Sequence, residues 1–192
     1  MNISPISFGK KIPIANCKIL DTQKNKPVVV AFFEYDCKDH KDSIEVAYLG
    51  GKWAFRDALS TGMERKFRRY LRGKPQEPYR YYGIQTTDGQ ILGLCNTADY
   101  ATHTDVEYIA RDLSKNYKYV GQMMLAQIAK QTLVNDKKQL IIKNPTDDNY
   151  GFYEKGCGFK FCDDYGFEMY MERKNMAQFV MNIEDKTNCS IF

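Results

Sequence analysis

The chain has 192 residues, 43% hydrophobic and 27% charged, which suits one folded domain with a sizeable core and excludes wholesale disorder. A net charge of +4 falls far short of a protein that coats nucleic acid, and suits a polyanionic small molecule equally well. The six cysteines form no CxxC pair and no apolar stretch approaches the roughly 20 residues of a membrane span, so a reduced, cytoplasmic protein is expected. Two histidines far apart in sequence, His40 and His103, argue against a histidine-based metal site, and none is expected.

Residues 1 to 26 carry a short apolar alternation around Lys11 to Leu20 and read as an arm or an extra edge strand. From Pro27, PVVVAFFEYD is β-branched and aromatic and reads as a core strand. Apolar residues at helical spacing between Ser43 and Arg72, broken near Gly50 and Gly51 and again near Gly62, predict two or three short helices. Tyr79 to Gln85 and Gln90 to Asn96 alternate on either side of TTDG and predict a hairpin, with Asp105 to Arg111 continuing the meander.

Tyr117 to Val134 reads as a helix with Val120, Met124, Leu125, Ile128 and Leu133 on its apolar face, and QLIIKN at Gln139 to Asn144 reads as the next strand. Strand, helix and strand in that order make a right-handed parallel crossover. Pro145 opens a further helix that stops at Gly156, and Phe159 to Cys162 with Phe167 to Met171 predict a closing hairpin. The fold class is thus α/β (α+β), with 27–173 as the main domain and 174–192 as an extension or tail.

A loop that feeds a helix directly after a strand presents free backbone N–H groups and the positive end of the helix dipole, which suits a phosphate. VEYIARDLSKNYKYVGQMMLAQIAK has that layout, with Gly121 in the first turn and Lys115 and Lys118 nearby. Immediately after the strand QLIIKN comes FYEKGCGF, an aromatic pair, two polar residues and a glycine turn leading into Phe159. These two segments resemble the GNAT superfamily of acyl-CoA-dependent N-acetyltransferases over about residues 28 to 172, FYEKGCGF matching the second motif with one extra residue at the turn. The first motif, Gln or Arg, two residues, Gly, one residue, then Gly or Ala, is matched by NYKYVG only at Gly121. Asn116 stands for Gln or Arg, and Tyr119 for the first glycine.

The resemblance implies a mixed, mostly antiparallel sheet of six to seven strands flanked by about four helices. It also implies that acetyl-CoA or another acyl-CoA is the co-substrate, and that an amine acceptor attacks it in a ternary complex. Tyr153 falls where the family places the acid for the departing thiolate. Asp105 falls where some members carry a general base, Glu107 lies two residues on and faces the same side, and His103 is a third candidate. Carbonyl polarisation maps to backbone at Arg111 and Asp112. The diphosphate maps to the loop from Asn116 through Tyr117, Lys118, Tyr119, Val120, Gly121 and Gln122 to Met123, and the pantetheine arm to Asn149. A catalytically inactive binding module of the same shape is the alternative.

The stripe ERKFRRYLRGK at Glu64 to Lys74 reads as a solvated basic face over Phe67 and Tyr70, and by resemblance lines the acceptor site. The acceptor's class, small molecule or protein, is open, and no nucleic-acid partner is expected. The terminal Cys189, Ser190, Ile191 and Phe192 fit a prenylation pattern, which reads first as an ordinary exposed tail and gives membrane association only if Cys189 is lipidated.

Overall fold

A computed structural model describes residues 10–36, 38–54, 78–162 and 167–187, with residues 51–54 as helix backbone only. The basic stripe at Glu64 to Lys74 and the tail bearing Cys189 lie outside the described residues. In chain order the elements are β1 (Ile12–Asp21), β2 (Lys26–Glu34), α1 (His40–Ala54), β3 (Tyr79–Thr86), β4 (Ile91–Asp99), β5 (His103–Arg111) and β6 (Tyr117–Lys118). There follow α2 (Val120–Val134), β7 (Gln139–Lys143), α3 (Asp147–Gly151) running into a π-helical turn (Phe152–Cys157), β8 (Lys160–Phe161), β9 (Glu168–Glu172) and α4 (Arg173–Thr187). They form one nine-stranded sheet in the order β6-β1-β2-β3-β4-β5-β7-β9-β8. Only β5 and β7 are parallel, and α2 is the crossover between them.

The mixed, mostly antiparallel sheet with helices on both faces is the expected class, with nine strands, two beyond the upper expectation of seven. One is β1, which pairs with β2 from Ile12↔Glu34 to Asp21↔Lys26. The other is β6, where Leu20 and Asp21 capture Lys118 and Tyr117. That capture corrects the start of the crossover helix, expected at Tyr117 and found at Val120. The helix break expected at Gly50 and Gly51 is also absent, and α1 runs through both.

On one face α2 lies flat on the sheet. Met124 packs on Gly93 of β4 so closely that a Cβ there would stand 2.5 Å from its sulfur. Val120, Met123, Leu125, Ala126, Ile128 and Ala129 are buried around it, so α2 is apolar on nearly every side. Its outer side is covered by α4, whose Met176, Phe179, Val180 and Ile183 recur at helical spacing and are buried. The segment expected as an extension or tail thus carries α4, one face of which packs into the core. Fully burying one such side chain contributes about 1.5–3 kcal/mol. On the opposite face Val46 and Leu49 of α1 pack on Phe33, Tyr35, Tyr81 and Leu94.

Two irregularities meet in β5. Its pairing with β7 covers only His103↔Gln139 to Val106↔Ile142, after which the ladder stops. Its pairing with β4 shifts between Asn96↔Tyr108 and Thr97↔Val106, leaving Glu107 as the extra residue of a β-bulge. Val106 and Ile109 consequently both face the α2 side, whereas Tyr108 and Ala110 face the α1 side. The sheet thus forks between β5 and β7 just beyond Val106, next to the first turn of α2.

Candidate active site

The segment from β5 to α2 is tied down by main-chain groups. Asn116 O accepts from both the N–H and the hydroxyl of Thr22, each at 2.8 Å. Arg111 Nη1 donates to Tyr117 O at 3.1 Å. Asp112 donates its amide to Leu92 O at 2.8 Å, and its carboxylate receives the Ser114 N–H and hydroxyl at 3.0 and 2.6 Å. Asp112 is therefore a structural residue of the loop, and its amide is spent on β4. Because amides alternate between strand edges, the N–H groups of Ile109 and Arg111 point to the other edge, toward the fork. Ile109 replaces Asp112 as the partner of Arg111 in offering such a donor.

Tyr119 is the N-cap of α2 and adopts φ 69°, ψ 7°, the left-handed conformation natural to the glycine that the GNAT motif has there. A large side chain thus takes a backbone conformation that glycine adopts without strain. The first helical bond runs from Met123 N to Tyr119 O at 2.8 Å, leaving the amides of Val120, Gly121 and Gln122 ahead of it. Met123 is fully buried with its amide engaged, so it is a core residue and not a cofactor contact. We expect Tyr119→Gly to raise the stability of the ligand-free protein by about 0.5–1 kcal/mol. Relief of about 1–2 kcal/mol of backbone strain is partly offset by the greater flexibility of unfolded glycine. Thermal unfolding measures this, and an unchanged or lower midpoint would show that the loop is not strained.

A cavity of about 420 Å³ opens at this point. Arg111, Lys118, Tyr119, Val120, Gly121 and Gln122 line one side, and Asn149 and Tyr153 the other. Asn116, Asp112, Tyr117 and Met123 are not among its lining residues, and the first three act through loop hydrogen bonds and strand pairing instead. Ile109, Ala110, Leu113 and Phe152 also line it and carry no chemical signal in the sequence, being apolar. Ile109 and Ala110 were discoverable only as the strand end next to the loop. A Cβ at Gly121 would lie 3.1 Å from Cζ of Phe152, whose ring covers the first turn of α2, so a larger side chain there requires that ring to give.

Tyr153 sits in the π turn, 7% exposed, with edge-on contacts to Phe152 at 5.1 Å and Phe159 at 6.1 Å between ring centres. The widened turn absorbs the extra residue of FYEKGCGF, and Gly158, at φ 85°, closes it in the left-handed conformation. Burial, with smaller contributions from Cys95 and Cys157, pushes the Tyr153 phenol far above its ordinary range and keeps it protonated.

The carboxylate candidates lie on the α1 side. Asp105 is 3% exposed, and its Oδ1 makes no hydrogen bond. His103 Nε2 stands 3.5 Å from that oxygen, and Lys143 Nζ stands 3.8 Å from Oδ2. Burial raises the Asp105 carboxyl above its usual range, against the lowering influence of Lys143 and His103. Glu107, half-buried at the bulge, stands nearer the fork in sequence, and neither carboxylate lines the cavity. Acid and base candidates thus belong to opposite faces of the sheet, at the place where the sheet separates. Among the described residues no group of three or more His, Cys, Asp and Glu side chains is placed to hold a metal ion.

No family model matches the sequence, and no curated protein matches it. Solved structures do match in shape. The aminoglycoside 6'-N-acetyltransferase from Enterococcus faecium aligns at TM-score 0.54 and 13% identity over 74% of this chain and 96% of its own. GCN5 from Tetrahymena aligns at TM-score 0.53 and 11% identity over 70% and 88%. AtaTR bound with AcCoA aligns at TM-score 0.52 and 15% identity over 78% and 96%. The chain has the GNAT fold.

Proposed function

We propose that the protein transfers an acyl group, acetyl in the simplest case, from acyl-CoA to an amine by direct attack in a ternary complex. The observation that carries this reading is the coincidence of the forked sheet, the three free amides at the start of α2 and the Tyr153 side chain around one cavity. Acyl-CoA, when bound, supplies a thioester carbon open to a nucleophile and a thiolate leaving group.

The chain's own residues do the rest. Val120, Gly121 and Gln122 offer amides to a diphosphate at the positive end of the α2 dipole, with Lys118 and Arg111 adding charge. Ile109 and Arg111 offer amides at the fork to a carbonyl oxygen that gains negative charge during attack. Asn149, fixed by its bond to Thr146 Oγ1 at 2.7 Å, faces the pantetheine path. Asp105 or Glu107 takes a proton from the acceptor's ammonium, directly or through water, so that the free amine attacks, and Tyr153 gives a proton to the departing sulfur. Solved GNAT structures with acetyl-CoA support the co-substrate as a class. The expectation of no nucleic-acid partner gains no support from the comparisons.

Tyr119 among the lining residues favours a second reading, a GNAT-shaped module that no longer turns over acyl-CoA. Calorimetry with acetyl-CoA separates the two. We expect saturable binding at micromolar concentration and release of free thiol when an amine acceptor is added. Absence of heat up to high micromolar acetyl-CoA would leave the module as the better description.

A further inference from the structure

We infer that His103 is the positioning residue of the base, its imidazole fixed from two sides so that Nε2 addresses the Asp105 carboxylate beside the fork. The inference rests on the acyl-transfer reading and selects Asp105 within it. His103 and Asp105 are two apart on β5, so both side chains leave the same face. The ring stacks on Tyr100 with centres 4.8 Å apart and planes 25° apart. Thr102 Oγ1 lies 3.0 Å from Nδ1. With that hydroxyl donating, the ring carries its proton on Nε2, the atom 3.5 Å from Asp105 Oδ1. The turn is closed by Tyr100 N donating to His103 O at 3.0 Å, so the stack, the threonine and the strand start are one unit.

The carboxylate needs such a partner. Asp105 is buried, and its Oδ1 has no hydrogen bond of its own. Glu107 on the same strand and Glu168 on β9 oppose its ionisation, and burial opposes it more than either. Lys143 on β7 favours ionisation but is shared, since Nζ also pairs with Glu168. Ala98, opposite on β4, carries no charge. His103 is therefore the group that addresses Oδ1, the side left open by Lys143.

His103→Phe keeps a ring for the Tyr100 stack and removes both nitrogens, whereas His103→Gln keeps an N–H donor. In 13C-labelled protein, the carboxyl carbon of Asp105 reports its titration by NMR without any acceptor. We expect the midpoint to move to higher pH in His103→Phe and to return toward wild type in His103→Gln. Acetyl-CoA turnover, read as thiol release, should fall about tenfold on the acid side in His103→Phe with the KM for acetyl-CoA unchanged. An unmoved Asp105 midpoint in His103→Phe overturns the inference. If that variant does not fold, an Asp105 midpoint in His103→Gln displaced as far as in a Thr102→Val, Tyr100→Ala control overturns it too. Asp105→Asn separates the two levels. Full turnover in that variant removes the base reading itself, whereas loss of turnover there with an unmoved midpoint in His103→Phe removes only the role of His103.

Discussion

Tyr153→Phe is expected to lower acetyl-CoA turnover by about 100-fold at neutral pH while leaving acetyl-CoA affinity within about twofold. The substitution removes one oxygen and keeps the ring that packs edge-on against Phe152 and Phe159, so the π turn and the core survive. What disappears is a proton donor. Burial raises the phenol well above its ordinary range, so the group stays protonated at any physiological pH. A departing thiolate that must leave unprotonated is a worse leaving group, and the loss appears in turnover without a matching change in binding. The pH profile provides a second check. The neutral phenol is the active form, and it persists as pH rises past the usual tyrosine value, so an alkaline limb near pH 8 must come from another group. Unchanged turnover in Tyr153→Phe would remove the hydroxyl from the mechanism.

The elements legible in the sequence are those whose pattern is local. The hairpin across TTDG and the crossover from β5 through α2 to β7 follow from alternation and helical spacing within short windows. Strand β6 does not, because two residues of no special type become a strand only by pairing with Leu20 and Asp21 far upstream. The missing length of α2 has the same cause. In α4, Met176, Phe179, Val180 and Ile183 carry a readable spacing, but the charged and amide residues between them give the segment the composition of a tail.

The site divides in the same way. Gly121 and Tyr153 stand out in the sequence because the roles proposed for them rest on side-chain size and on a hydroxyl. The roles proposed for Ile109 and Arg111 rest on backbone N–H groups, and main-chain donors leave no signature in residue type. The fork depends on where a parallel ladder stops, and the bulge at Glu107 on a register shift against β4. Neither is written in any one segment. Tyr119 is the instructive case, since its residue type argues against a glycine position while its backbone adopts the left-handed conformation that glycine favours.

Gly121→Val should abolish acetyl-CoA binding, with affinity falling at least 100-fold, and destabilise the ligand-free protein by about 1–3 kcal/mol. The first added carbon already stands 3.1 Å from Cζ of Phe152, and two methyl groups beyond it press further on that ring. The same atoms stand beside the amides of Val120, Gly121 and Gln122, where a diphosphate must approach to hydrogen-bonding distance. Overpacking and obstruction separate in a double variant. Phe152→Ala removes the ring against which the valine collides, so Gly121→Val with Phe152→Ala should recover part of the lost thermal stability. It should not recover binding, because the valine still covers the amides. Calorimetry on the two variants and on Phe152→Ala alone measures both quantities. Tight acetyl-CoA binding by Gly121→Val would mean that the diphosphate lies elsewhere, and the helix start would then lose its place in the mechanism.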